Sequence, residues 1–198
     1  MFPMNYSNLS KLRKQLYFTT RDVAAIFNIK LASAQVLCSR YTAKGIFIRL
    51  KNNFYVLEQK WDKFVNEEFF KISNYLQVPS YISFMSALSF YEITTQVLRG
   101  FYESACLKRT VNFSKSEVCF NFYKLNKRYY FDFEKKHDYF IATKEKAFVD
   151  SVYLYSLGKY RIDFSSLNVA DLNKDKISEI IKVFPQKTIC EVKKLCKI

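Results

Sequence analysis

The chain has 198 residues, 32 of them Lys or Arg against 18 Asp or Glu, for a formal net charge of +14. That length suits one medium domain or two small ones, and no apolar run approaches the ~18 residues of a membrane-spanning helix. Three well-separated glycines, a single His137 and no CxxC exclude glycine-rich phosphate loops, dinucleotide fingerprints and HExxH zinc sites.

In chain order, Leu9, Leu12 and Leu16 lie on one face of a short amphipathic helix expected over residues 9–15. Thr19 is the expected N-cap of a second helix, with Asp22 three residues on completing a capping box. Val23, Ala24, Ile26 and Phe27 form its apolar face, and Asn28 suits a left-handed stop. A third helix is expected from Ala32–Ser33 to Lys44, with Ala34, Leu37 and Tyr41 inward and Gly45 at its C-terminal cap. Two β-rich runs then flank Asn52-Asn53, a hairpin signal.

Two helices, a short turn and a hairpin is the order of a winged helix-turn-helix, in which the second helix of the motif enters the major groove. Its outward residues would be Ser33, Gln35, Ser39, Arg40 and Lys44, with Lys30 just before the helix and Arg49, Lys51, Asn52 and Asn53 on the wing. Gln reads adenine and Arg reads guanine bidentately. Residues 1–57 carry nine basic side chains and one acid, Asp22, whereas residues 58–198 carry 23 basic and 17 acidic. Lys outnumbers Arg 24 to 8, a bias that an AT-rich genome also produces, so the local concentration of charge says more than its total. A small segment this basic points to a polyanion, with nucleic acid the first candidate, and the winged-helix order together with the charge points to double-stranded DNA.

The next stretch reads as one joining helix over residues 61–76, ended by Pro79, and a further helix over residues 81–91. Three β-rich runs follow at residues 107–113, 118–125 and 129–133, then a helix over residues 144–157 stopped by Gly158. Residues 177–183 and 187–196 read as short helices. The fold class expected is α+β: a winged helix-turn-helix over residues 1–58, a linker helix over 59–78, and a mixed α+β domain over 79–198. No catalytic or metal constellation emerges. Five scattered cysteines and a polar N-terminus suit reduced thiols in a cytoplasmic protein. Lys144, Lys146 and Asp150 on one helix are the candidate functional surface of this half. The plainer alternative is a solvated helix face in which Lys146 and Asp150 pair across one turn.

Several stretches resemble the AbiEi-type antitoxins, also described as transcriptional regulators of viral defence systems. The first runs from Phe18-Thr-Thr-Arg-Asp-Val-Ala through Lys44-Gly-Ile to Arg49-Leu-Lys-Asn-Asn-Phe-Tyr and is similar to their winged helix. Tyr81-Ile-Ser-Phe-Met-Ser-Ala-Leu resembles their "YIS..SAL" segment, and Ile141-Ala-Thr-Lys-Glu-Lys-Ala-Phe-Val-Asp their "A.pEKAl.D" segment. Two departures stand out: the family usually has glycine at the wing tip, here Asn53, and His-Gly after the SAL helix, here Tyr91-Glu92. The resemblance implies a non-enzymatic, cofactor-free antitoxin of a type IV toxin–antitoxin pair active in abortive infection. Its winged helix would repress its own promoter by binding inverted repeats, and its second domain would neutralise a nucleotidyltransferase-like toxin from the same operon. The alternatives are a winged-helix transcriptional regulator with a ligand-sensing or dimerisation domain, and a nucleic-acid enzyme, for which the carboxylate cluster is missing.

Overall fold

The structure, a computed structural model, describes residues 6–96 and 99–198. The chain divides into two compact units, one running to Ile72 and taking in Phe113–Lys115, the other holding residues 73–112 and 116–198. The boundary falls inside the stretch expected as a linker. Helices come first and a mixed sheet with helices follows, so the class is α+β. Among the described residues no helix is long and apolar enough to cross a membrane.

The first unit begins with α1 (Tyr6–Arg13), α2 (Thr20–Phe27) and α3 (Leu31–Ala43). Helix α1 ends before the expected limit at Gln15. The N–H groups of Lys14 and Gln15 turn back to the carbonyls of Lys11 and Leu12, which tightens the last turn. That releases the chain to extend at Phe18, which exchanges two 2.9 Å backbone bonds with Tyr55. The capping box of α2 forms: Thr19 N–H donates to the Asp22 carboxylate at 2.7 Å, and Asp22 N–H to Thr19 Oγ1 at 3.3 Å. Such a cap contributes about 1 kcal/mol. Asn28 ends the helix at φ 52°, and Gly45 follows α3 at φ 70°. Strands β1 (Phe47–Lys51) and β2 (Phe54–Leu57) pair antiparallel around Asn52 and Asn53. The core collects Leu12, Phe18, Val23, Leu37, Tyr41 and Phe47. Phe47 meets Phe18 and Tyr41 edge-on, at centroid distances of 4.7 and 5.1 Å.

The single joining helix expected over residues 61–76 is instead two, α4 (Glu58–Trp61) and α5 (Asn66–Leu76). Val65, inside that expected span, is 62% exposed. The break has a local cause, because Val65 N–H donates to the Glu68 carboxylate at 3.0 Å and so starts a new helix. Trp61 packs edge-on against Phe69 across the break.

A six-stranded sheet, in the second unit except for residues Phe113–Lys115, is made of β3 (Ser80–Ile82), β4 (Phe101–Cys106), β5 (Val111–Lys115), β6 (Val118–Lys124), β7 (Phe133–Lys136) and β8 (Tyr139–Ala142). Their order is β5-β6-β4-β3-β8-β7, with β3 parallel to β8 and β4 parallel to β6. Helices α6 (Phe84–Phe90) and α7 (Lys144–Ser156) pack together, and α8 (Lys174–Ile181) and α9 (Gln186–Cys196) pack on α7.

Two expectations fail here, and one strand was not expected. Residues 81–91 are not one helix, because Tyr81 and Ile82 pair with β4 and β8 in the middle of the sheet. Strand β4 escaped sequence reading, since Glu103 and Ser104 interrupt its apolar pattern although both are buried. The run expected as a strand at residues 129–133 opens with a 3-10 turn, Lys127–Tyr129, capped by the Asn126 side chain, before β7 starts at Phe133. Helix α7 matches its expected span, with Gly158 at φ 68° behind it.

Candidate nucleic-acid interface

Helix α3 buries Ala34, Leu37, Cys38 and Tyr41, which turns the i, i+4, i+8 row Leu31, Gln35 and Ser39 outward. That row and the hairpin enclose a groove of about 680 Å³, lined also by Arg21, Arg49, Asn52 and Asn53. None of the lining residues is acidic. The unit's one acid before residue 58, Asp22, is engaged in the capping box.

Of the residues proposed from sequence, Gln35, Ser39, Arg49, Asn52 and Asn53 share this groove, and Lys30, Ser33, Arg40, Lys44 and Lys51 do not line it. Lys30 is the exposed N-cap of α3 and makes no side-chain cap bond. Ser33 is half-buried in the first turn. Arg40 and Lys44 are exposed on the neighbouring row, and the Lys51 ammonium sits 5.5 Å from the Phe54 ring. Val36 and Leu31 leave about half their surface exposed on this otherwise polar helix face, at 51% and 46%.

The wing asparagines have a second job. Asn53 takes φ 56°, a left-handed conformation that Asn tolerates, and its Oδ1 accepts the Thr20 N–H at 2.8 Å. This caps a first-turn donor of α2 and fixes the hairpin tip against it. Asn52 Oδ1 accepts from the Arg49 guanidinium at 3.1 Å. Both carboxamide oxygens thus shape the wing, leaving the NH2 groups as donors. Arg21, in the first turn of α2, is the charged groove residue that sequence reading missed. The available signal was its place inside the capping box, one residue before Asp22 and on the side away from Val23.

The second candidate cluster is not a surface. Lys146 and Asp150 are both 0% exposed, so neither the docking face nor the solvated face expected from sequence exists there. The Lys146 ammonium bonds Asp150 Oδ1 and donates to the Tyr81 hydroxyl at 3.0 Å. Asp150 Oδ2 accepts from Tyr81 OH and Ser83 Oγ, each at 2.9 Å. Burial pushes the Asp150 carboxyl up and the Lys146 ammonium down, each toward its neutral form. The network holds α7 to β3 and the residue after it. Lys144 is half-exposed, and its ammonium donates to the Asp171 carbonyl at 2.6 Å. A scan of the chain against protein-family models finds no match, and neither does a search of curated proteins.

Proposed function

We propose that the first unit is a winged helix that binds duplex DNA, and that the chain is a DNA-binding autorepressor and antitoxin. The observation that carries the DNA reading is the acid-free groove in which Gln35 and Ser39 of α3 meet Arg21 of α2 and Arg49 of the hairpin. The element order supports it, because Phe18 bridges to β2 between α1 and α2 as the short first strand of a winged helix does. Gln35 flanked by the exposed methyls of Leu31 and Val36 suits A·T pairs, with adenine on the amide and the thymine methyl on the apolar side chains.

The antitoxin reading rests on the resemblance of the Tyr81 and Ile141 segments. Both positions where the resembled family carries glycine are left-handed in this chain, Asn53 at φ 56° and Glu92 at φ 58°. That is the backbone conformation glycine adopts most readily.

The test has two arms. The full chain is titrated onto fluorescent duplexes from upstream of its own gene and onto scrambled duplexes. Preferential binding to the first is expected, with log affinity falling by about 0.9 per phosphate neutralised for each decade of salt. It is also co-expressed with the protein encoded beside it, where relief of growth arrest is expected. Salt-insensitive binding, or none, sinks the first arm, and unrelieved arrest sinks the second.

Base reading and positioning separate by mutation. Gln35→Ala is expected to lose about 1–3 kcal/mol on the preferred duplex and little on scrambled DNA. Arg21→Ala and Arg49→Ala should weaken binding to both alike and flatten the salt slope. Equal losses from all three variants on both duplexes would show that α3 is not the reading element.

A further inference from the structure

In the second unit, β4, β6 and the segment after α7 surround a pocket of about 410 Å³. Glu103 lines it and is 1% exposed. Its Oε2 accepts from Tyr160 OH at 2.7 Å and from Met85 N–H at 3.1 Å, and its Oε1 from Tyr123 OH at 3.2 Å. Every one of these donors is neutral. Among the described residues no Lys or Arg pairs with Glu103, although a buried carboxylate is costly without a cation. A carboxylate oxygen takes about two donors, so Oε1 has room for one more.

The same pocket is lined by the exposed side chains of Lys159 and Arg161, which make no ion pair among the described residues. The pocket therefore holds a buried carboxylate with no cation beside it and two solvent-exposed cations that do not pair with it. Phe101, Tyr123 and Tyr160 supply aromatic surface beside the carboxylate, as a bound ammonium favours. Phe84 packs on both tyrosines, at centroid distances of 4.9 and 5.4 Å, and holds their rings in place. The volume lies within the usual range for small-molecule sites, about 300–1,000 Å³.

We infer that this pocket binds a small zwitterion of the amino-acid class, its ammonium on Glu103 and its carboxylate on Lys159 and Arg161. A free amine would satisfy Glu103 but meet the two cations, and a free acid would do the reverse. One molecule carrying both charges answers both ends. Burial lifts the Glu103 carboxyl to about 7, so near neutral pH it ionises readily against an arriving ammonium. The inference is independent of the DNA reading, because ligand binding is measured without DNA.

The experiment is calorimetric titration of the full chain with glycine, β-alanine, γ-aminobutyrate and the standard L-amino acids, with butylamine and butyrate as one-charge controls. At least one zwitterion should bind with a Kd of about 1 mM or tighter, and both controls at least about tenfold more weakly. Glu103→Gln should abolish binding. The double variant Lys159→Ser/Arg161→Ser changes exposed side chains only, and it should weaken the zwitterion about tenfold while butylamine, no longer facing two cations, binds at least as tightly as before. No zwitterion binding to the natural chain, or controls that bind as tightly, overturns the proposal. So does a zwitterion indifferent to the double variant, which decides alone if circular dichroism finds Glu103→Gln unfolded.

Discussion

Asp150→Ala is expected to destabilise the protein by about 3–5 kcal/mol, measured by urea unfolding at neutral pH. The change leaves the Lys146 ammonium in a site with no solvent exposure and only the Tyr81 hydroxyl as acceptor. Ser83 and Tyr81 also lose the oxygen that accepts both their hydroxyls. An exposed pair at the same spacing would cost only about 0.3–0.5 kcal/mol, so the size of the loss separates a buried network from a solvated one. The double replacement Lys146→Met/Asp150→Leu should recover part of the loss, because apolar side chains of similar volume remove the cost of burying two charges while the Tyr81 and Ser83 hydroxyls still lack their acceptor. A loss below about 1 kcal/mol for Asp150→Ala would mean that the network adds nothing to the fold.

A second large effect is expected from pH. Burial raises the Glu103 carboxyl from an ordinary 4.5 to about 7, with the Tyr160 and Tyr123 hydroxyls and the Met85 N–H opposing part of the shift. A carboxyl whose folded-state pKa lies above its unfolded value binds its proton more tightly when folded. Its contribution is therefore complete below pH 4.5 and lost as pH rises through about 7. The loss amounts to about 3 kcal/mol over that window, at 1.36 kcal/mol per decade of affinity. The comparison is with Glu103→Gln, which keeps the neutral shape and isolates this one group. Unfolding free energies of the two proteins should converge in acid and separate toward pH 8, with the Gln variant the more stable. Parallel curves would mean that Glu103 titrates like an exposed carboxyl.

The features legible in the sequence are those whose partners lie within a few residues. The Thr19–Asp22 capping box, the Asn28 stop, the Asn52-Asn53 turn and the span of α7 ahead of Gly158 all rest on such local bonds and backbone preferences. Even the break between α4 and α5 is local in hindsight, since Glu68 caps a donor three residues away, but a continuous apolar periodicity concealed it. The candidate interface was half legible. Helical spacing placed Gln35 and Ser39 on the outward row, whereas the inclusion of Arg21 and the exclusion of Arg40 and Lys44 depend on where the hairpin folds.

By itself, then, the sequence determined the α+β class, the helix–helix–hairpin order of the first 57 residues and the concentration of positive charge there. Tertiary structure alone decided which polar residues face water. Lys146 and Asp150 are spaced alike whether their helix face is bare or covered, and it is Tyr81 and Ser83, at least 63 positions earlier, that cover them. Strand β4 carried no expectation, and its Glu103 and Ser104 are buried because strands on both sides and the hydroxyls of Tyr123, Tyr160 and Ser73 supply their partners. A buried polar group is tolerable only with such partners, and partners that distant in sequence leave no local trace.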